Sequence, residues 1–204
     1  MKRTWWRRNA LALVALVPVT AAAVGASSFQ YRTIWQASHP TRAVHAQGTS
    51  GHLTTVMQRG GREYVREVDV QIAEVRQDAS LPTVAAAPGA HLVAVDLVLS
   101  ADPGAVLTSC QADLLDEHGT VYGSQAGQVD PTTGKASFGR STCVPPETPG
   151  PDVNAFTGEF EPARTPRPAT WGSQLVFAIP DGVTPTRLRL YWDTPRHLLF
   201  ELPR

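Results

Sequence analysis

The residues best equipped for chemistry are thinly spread through this 204-residue chain. Six histidines (His39, His45, His52, His91, His118 and His197) never stand two or four apart, and no His-Glu-x-x-His occurs. Local metal ligation on one strand or helix face therefore has no support. Gly134-Lys-Ala-Ser137-Phe-Gly139 places Lys135 where a nucleophile elbow needs its first glycine. The same Gly134-Lys135 pair lacks the upstream glycine and the following Ser or Thr of a phosphate loop. Asp113, Asp116, Glu117 and His118 form the densest polar cluster. Such a cluster suits a cation site or an acid/base pair, but Asp and Gly at these spacings equally make a solvated hairpin turn. Trp171 and Trp192 could stack a sugar ring. Trp192 shares a strand face with Leu188 and Leu190, which favours a core role. The expectation is a non-catalytic chain with no cofactor. Its alternative is an enzyme or accessory subunit whose active site is assembled from distant residues.

Cys110 and Cys143 are the only cysteines. In an oxidising compartment two cysteines in one domain pair, so a structural disulfide is expected. The alternatives, a reactive thiol or a metal ligand, lack a CxxC to support them.

That compartment is argued from the N-terminus. Lys2, Arg3, Arg7 and Arg8 precede the uncharged run Ala10 to Ala26, the pattern of a secretory signal or a signal anchor. The run gives about 25 Å of helix against a hydrocarbon layer of about 30 Å. Val24-Gly25-Ala26 is an acceptable cleavage site, while Trp5, Trp6, Phe29, Tyr31 and Trp35 flank the run as interfacial aromatics do. A single-pass anchor is the preferred reading, with secretion after cleavage near Ala26 as the alternative. The positive-inside rule then puts the bulk of the chain outside. Four of the 18 basic residues lie in that basic stretch, so 14 face 18 acids in the remainder, a net charge of −4. A mildly acidic body offers no footprint for nucleic acid.

The parts expected are a cytoplasmic tail over 1–9, the anchor or signal over 10–29, a tether over 30–51 with a short first strand near its end, and an exported domain over 52–204. Period-two alternation dominates that domain. Val68, Val70 and Ile72 form one stripe, and its slip before Val75 predicts a bulge. Further stripes are Val93 to Leu99, Cys110 to Leu114, Leu175 to Ile179, Leu188 to Trp192 and Leu198 to Leu202. Turn signals at Asp116-Glu-His-Gly119, Pro180-Asp-Gly182 and Asp193-Thr-Pro-Arg196 separate them. This predicts an all-β fold, an antiparallel immunoglobulin-like sandwich of seven to nine strands. The span 124–168 is rich in Pro and Gly and reads as an irregular insertion, either a binding loop or a solvated excursion tied down by the cysteines.

The basic N-terminus, the single apolar helix, Cys110, Cys143-Val-Pro-Pro and the ending Phe177-Ala-Ile-Pro180…Leu188-Arg-Leu-Tyr-Trp192 together carry a resemblance. The chain resembles actinobacterial cell-envelope proteins with an immunoglobulin-like domain, and is similar to the immunoprotective extracellular antigen superfamily. The likeness spans most of the exported part. It implies an Ig-like sandwich outside the membrane and no established enzyme activity. A sandwich presents loops and sheet edges suited to recognition, so an envelope or protein partner is expected. It supplies no catalytic residues, and the Pro-rich insertion departs from a minimal sandwich.

Overall fold

A computed structural model describes residues 2–108, 110–124, 128–133, 135, 143–154 and 156–203. The chain begins with helix α1, Lys2–Gln30, continued by a π-helical turn Tyr31–Trp35 and a last helical turn Gln36–Ser38. Its stretch Val14–Trp35 is long and apolar enough to cross a membrane, a test that a signal sequence also passes. The hydroxyls of Ser28 and Thr33 donate to the carbonyls of Val24 and Phe29, at 2.7 and 2.6 Å. These polar side chains thereby bond back onto the helix's own carbonyls four residues earlier. The apolar window lies several residues beyond the expected 10–29. The stretch from Lys2 to Asn9 lies within the helix instead of preceding it. The side chains of Lys2, Arg3, Arg7 and Arg8 lie outside the described residues.

The rest is mostly strand, in antiparallel sheets. One sheet holds β2 (Ser50–Arg59), β3 (Arg62–Arg76), β5 (Ala90–Ser100) and β11 (Thr170–Pro180), in the order β11-β5-β3-β2. The other holds β1 (Arg42–His45), β6 (Gln111–Leu115), β7 (Val121–Gly123), β12 (Arg187–Tyr191) and β13 (Arg196–Glu201), in the order β1-β13-β12-β6-β7. The stripes read from sequence become the inner faces. Val68, Val70, Val93, Val95, Leu97, Leu99, Leu175, Phe177 and Ile179 from one sheet join Ala112, Leu114, Leu188, Leu190, Leu198 and Phe200 from the other in one buried cluster. The bulge falls between Ile72 and Glu74, where the alternation slips.

The tether over 30–51 carries the expected short first strand, β1, and also holds the helix end and the start of β2. Two expectations are corrected. The strand-rich part consequently starts at Arg42 and not His52. The pairing is also not wholly antiparallel, because β1 runs parallel to the last strand, Arg42 opposite Arg196 and His45 opposite Leu199. A four-residue strand with one weak apolar residue, Val44, gives too little alternation for its pairing to be read.

The insertion is mostly irregular, as its prolines require. Its described part carries two short ladders. β4 (Ala85–Ala86) pairs with β8 (Gln128–Val129), and β9 (Asp152–Val153) pairs with β10 (Phe160–Glu161). Ser137 and its neighbours from 136 to 142 lie outside the described residues.

Candidate functional site

Cys110 and Cys143 form a disulfide with Cα atoms 5.7 Å apart, fastening the Pro-rich excursion beside the start of β6. Both tryptophans are core residues. The Trp171 indole N–H donates to the Cys143 carbonyl at 2.7 Å, and that of Trp192 to the Leu107 carbonyl at 2.9 Å. With their rings in the buried cluster and their polar atoms spent on backbone, neither is presented to a ligand.

The polar cluster of the β6–β7 hairpin divides. Asp116 Oδ1 accepts from the amides of His118 and Thr120, at 2.9 and 2.8 Å, so this carboxylate builds the turn. Burial works to raise its pKa, but these amides and the Tyr122 hydroxyl outweigh burial and hold it below the ordinary carboxylate value. Glu117 and His118 point to solvent. Asp113 instead faces outward from the five-stranded sheet, where it takes two bonds from Arg189, at 2.7 and 3.0 Å. Tyr191 and His197 lie beside them. Burial, reinforced by Asp113, raises the Tyr191 phenol; burial, reinforced by Arg189, lowers the His197 imidazole. His197 Nδ1 has no hydrogen-bond partner among the described residues.

Two arginines are buried. Arg66 continues the inward stripe of Val68, Val70 and Ile72, beyond the point where the second sheet covers it. Its guanidinium donates to the Val106 carbonyl at 2.6 Å, to Asp193 and to Met57 Sδ. Burial pulls its pKa down and Asp193 opposes this. Arg167 donates to the carbonyls of Pro149, Asp102 and Ala105 and lies over the Trp171 ring at 4.7 Å. These donors tie the insertion to the loop before β6, and Arg167 Nε is buried without a hydrogen-bond partner among the described residues.

Among the described residues, a concave surface lies at the corner where β1 turns into β2. It is an open depression of about 590 Å³, lined by His45, Gln47, His52, Asp69, Gln71 and Ser100 over an apolar floor that includes Val44 and Val70. Antiparallel register sets His52 opposite Asp69. His52 Nδ1 lies 2.8 Å from Asp69 Oδ1, and its Nε2 lies 3.1 Å from Thr54 Oγ1. A carboxylate orienting an imidazole that reaches a hydroxyl is the connectivity of a nucleophilic relay. It stands on an open face, with the His52 and Asp69 side chains 56% and 72% exposed. Water competes for every one of its bonds. Among the described residues, no group of three or more His, Cys, Asp or Glu is placed to hold a metal.

Of the residues named from sequence, His45 and His52 meet at this depression, while the turn cluster and the tryptophans do not form a site. Sequence reasoning missed the relay, which follows from the register of the β2–β3 hairpin. Gly60-Gly61, with φ of 55° and 75°, is the signal for that register, since two positive-φ residues make the tight turn that suits paired strands.

No family model matches the chain, and no curated protein or solved structure matches it.

Proposed function

We propose that this chain is a membrane-anchored extracytoplasmic protein whose immunoglobulin-like domain binds a polar envelope component or protein partner through the β1–β2 corner. The observation that carries this reading is a disulfide in the strand-rich part of a chain that begins with an apolar helix of spanning length. Disulfides persist outside the cytosol, and the helix supplies the route there. The helix runs on through Val24-Gly25-Ala26 to Ser38, which supports an anchor over a cleaved signal. The Ig-like assignment is supported by topology. β12 lies between β6 and β13 with β7 outside β6, as strand F lies between C and G with C′ beyond, and β5 pairs β11 as B pairs E. The disulfide departs from the usual B–F bridge. The likeness to actinobacterial cell-envelope proteins supports the same location and implies no established enzyme activity.

The test is capture of partners from native membranes by the wild type and by His52→Ala/Asp69→Asn. A partner held by the wild type and lost from the variant supports the reading. Equal capture by both, or no specific partner, refutes it. N-terminal sequencing that finds Ser27 first would refute the anchor.

The Asp69–His52–Thr54 relay favours a second reading, an extracytoplasmic hydrolase with Thr54 as nucleophile. Turnover of an activated ester, abolished by both Thr54→Val and His52→Ala, would select it.

A further inference from the structure

The end of the fold that faces the helix is unlike the rest of the surface. The last helical turns stack Tyr31 on Trp35 with ring centroids 5.0 Å apart, and Trp35 on His39 at 4.4 Å. Aromatics at a helix end sit at the headgroup level. From Trp35 to Arg42 the chain has one helical turn and three further residues, a reach of at most about 18 Å. β1 therefore starts close to the bilayer.

The β2–β3 hairpin points back toward that bilayer. Arg66 bonds Asp193 in the turn before β13, and the Arg42 amide donates to the Pro195 carbonyl in the same turn, so Arg66 and the start of β1 lie at one level. Beyond Arg66 the hairpin continues five residues to Gly61, an overhang of about 17 Å. The overhang thus matches the tether.

This end carries most of the exposed large apolar side chains of the strand-rich part, among charged ones. Among the described residues of the strand-rich part, six large hydrophobic side chains are exposed, and four of them lie at this end: Val56, Val65, Phe156 and Phe160. Val56 and Val65 face each other across the hairpin, and Phe156 is 98% exposed. Phe156 is held in place. Asn154 Oδ1 accepts from the amides of Phe156 and Thr157, both at 3.0 Å, and the Gly158 amide donates to the Asn154 carbonyl at 2.9 Å. Gly158 is packed on Gly60 so closely that a Cβ on it would meet the Gly60 backbone at 2.5 Å. A fixed, outward phenylalanine is costly in water and suits an interface that accepts it. Arg59 and Arg62 at the tip are balanced by Glu63, Glu159 and Glu161, so attraction to anionic lipid is not what selects the surface.

We infer that the Gly60-Gly61 tip and the Phe156 turn form a second membrane contact, seated in the headgroup layer of the bilayer that the N-terminal helix spans. This rests on the anchored reading above. The contact sets the height and tilt of the domain and turns the β1–β2 corner, at the opposite end of β2, away from the lipid.

The test uses the full chain in phosphatidylcholine vesicles, with a nitroxide on a single introduced cysteine. The Cys110–Cys143 disulfide leaves that thiol the one to label. Phe156→Cys is compared with Val19→Cys in the helix and Val121→Cys, exposed at the far end of the fold. Collision with oxygen relative to a water-soluble nickel complex is expected to be several-fold higher at 156 than at 121, and highest at 19. A label at 156 as nickel-accessible as that at 121, with 19 in the bilayer, overturns the second contact and leaves the anchor standing. Low collision with both oxygen and nickel at 156 marks a tip covered by protein or by a second copy and likewise overturns the lipid contact. Nickel-accessible labels at both 19 and 156 overturn the anchored reading as well.

Discussion

Asp193→Ala tests the logic of the buried Arg66. The arginine is 3% exposed, and its carboxylate partner, at 26%, keeps contact with water. Removing Asp193 leaves a guanidinium in a dry site with the Val106 carbonyl as its remaining oxygen acceptor. Breaking a fully buried pair this way costs about 3–5 kcal/mol; partial solvation of Asp193 lowers the expected loss to about 2–3 kcal/mol. Arg66→Met behaves differently. A side chain of similar length fills the site against Met57, Val106 and Tyr64, and the freed Asp193 turns to solvent. The loss there is the Val106 bond and some packing, about 1–2 kcal/mol. Once the arginine is gone, Asp193→Ala adds nothing, so the double variant matches Arg66→Met alone and the coupling is about 2 kcal/mol. Urea unfolding in detergent, followed by near-ultraviolet circular dichroism, measures all three variants. With a slope of about 2 kcal/mol/M, Asp193→Ala lowers the midpoint by about 1 M. Single effects that simply add in the double variant, within about 0.5 kcal/mol, would refute the reasoning.

Replacing Cys110 and Cys143 by serine frees a 33-residue separation and lowers stability by about 3.5–4 kcal/mol on the chain-entropy model, read by the same unfolding curves. His197 is held neutral by burial, its pKa lowered in the folded state. Its contribution to stability is therefore present above the ordinary histidine value of about 6.5 and is lost as pH falls through the depressed value. The melting temperature should drop between pH 7 and pH 5, and His197→Gln should flatten that slope; an unchanged slope contradicts the assignment. Gly158→Ala meets both a φ of 70° and the Gly60 backbone, and should cost at least about 2 kcal/mol and raise proteolysis at the Phe156 turn.

The inner faces were legible because a pleated strand with one dry side must alternate. Leu188, Leu190 and Leu198 are fully buried for the reason their spacing announced. The helix was legible too, though its true extent was not. Beyond Phe29 the polar residues Gln30, Thr33 and Gln36 signal an exit from apolar surroundings, yet the backbone stays helical to Ser38. The buried arginines were illegible. Arg66 occupies an inward position that alternation reserves for an apolar residue, and only the loop carrying Val106, folded under the hairpin, explains it. The Asp113–Arg189 pair was hidden because its partners lie on strands 76 residues apart. Neighbouring charges in the sequence, Asp116 and Glu117, drew notice that belonged to Asp113. The relay needed only the glycine pair at 60 and 61, a short-range signal outweighed by the more conspicuous prolines further on.

The parallel ladder between the first strand and the thirteenth bears on the order of folding. β1 is synthesised about 150 residues before its partner β13. Until Arg196–Glu201 is available, β1 has no partner and β12 lacks one flank, so the five-stranded sheet cannot close. The β2–β3 hairpin is local and forms early, and it waits with its dry face uncovered. Closure of the core is thereby tied to the arrival of β13, and a nascent chain halted before Arg196 keeps that face open to water.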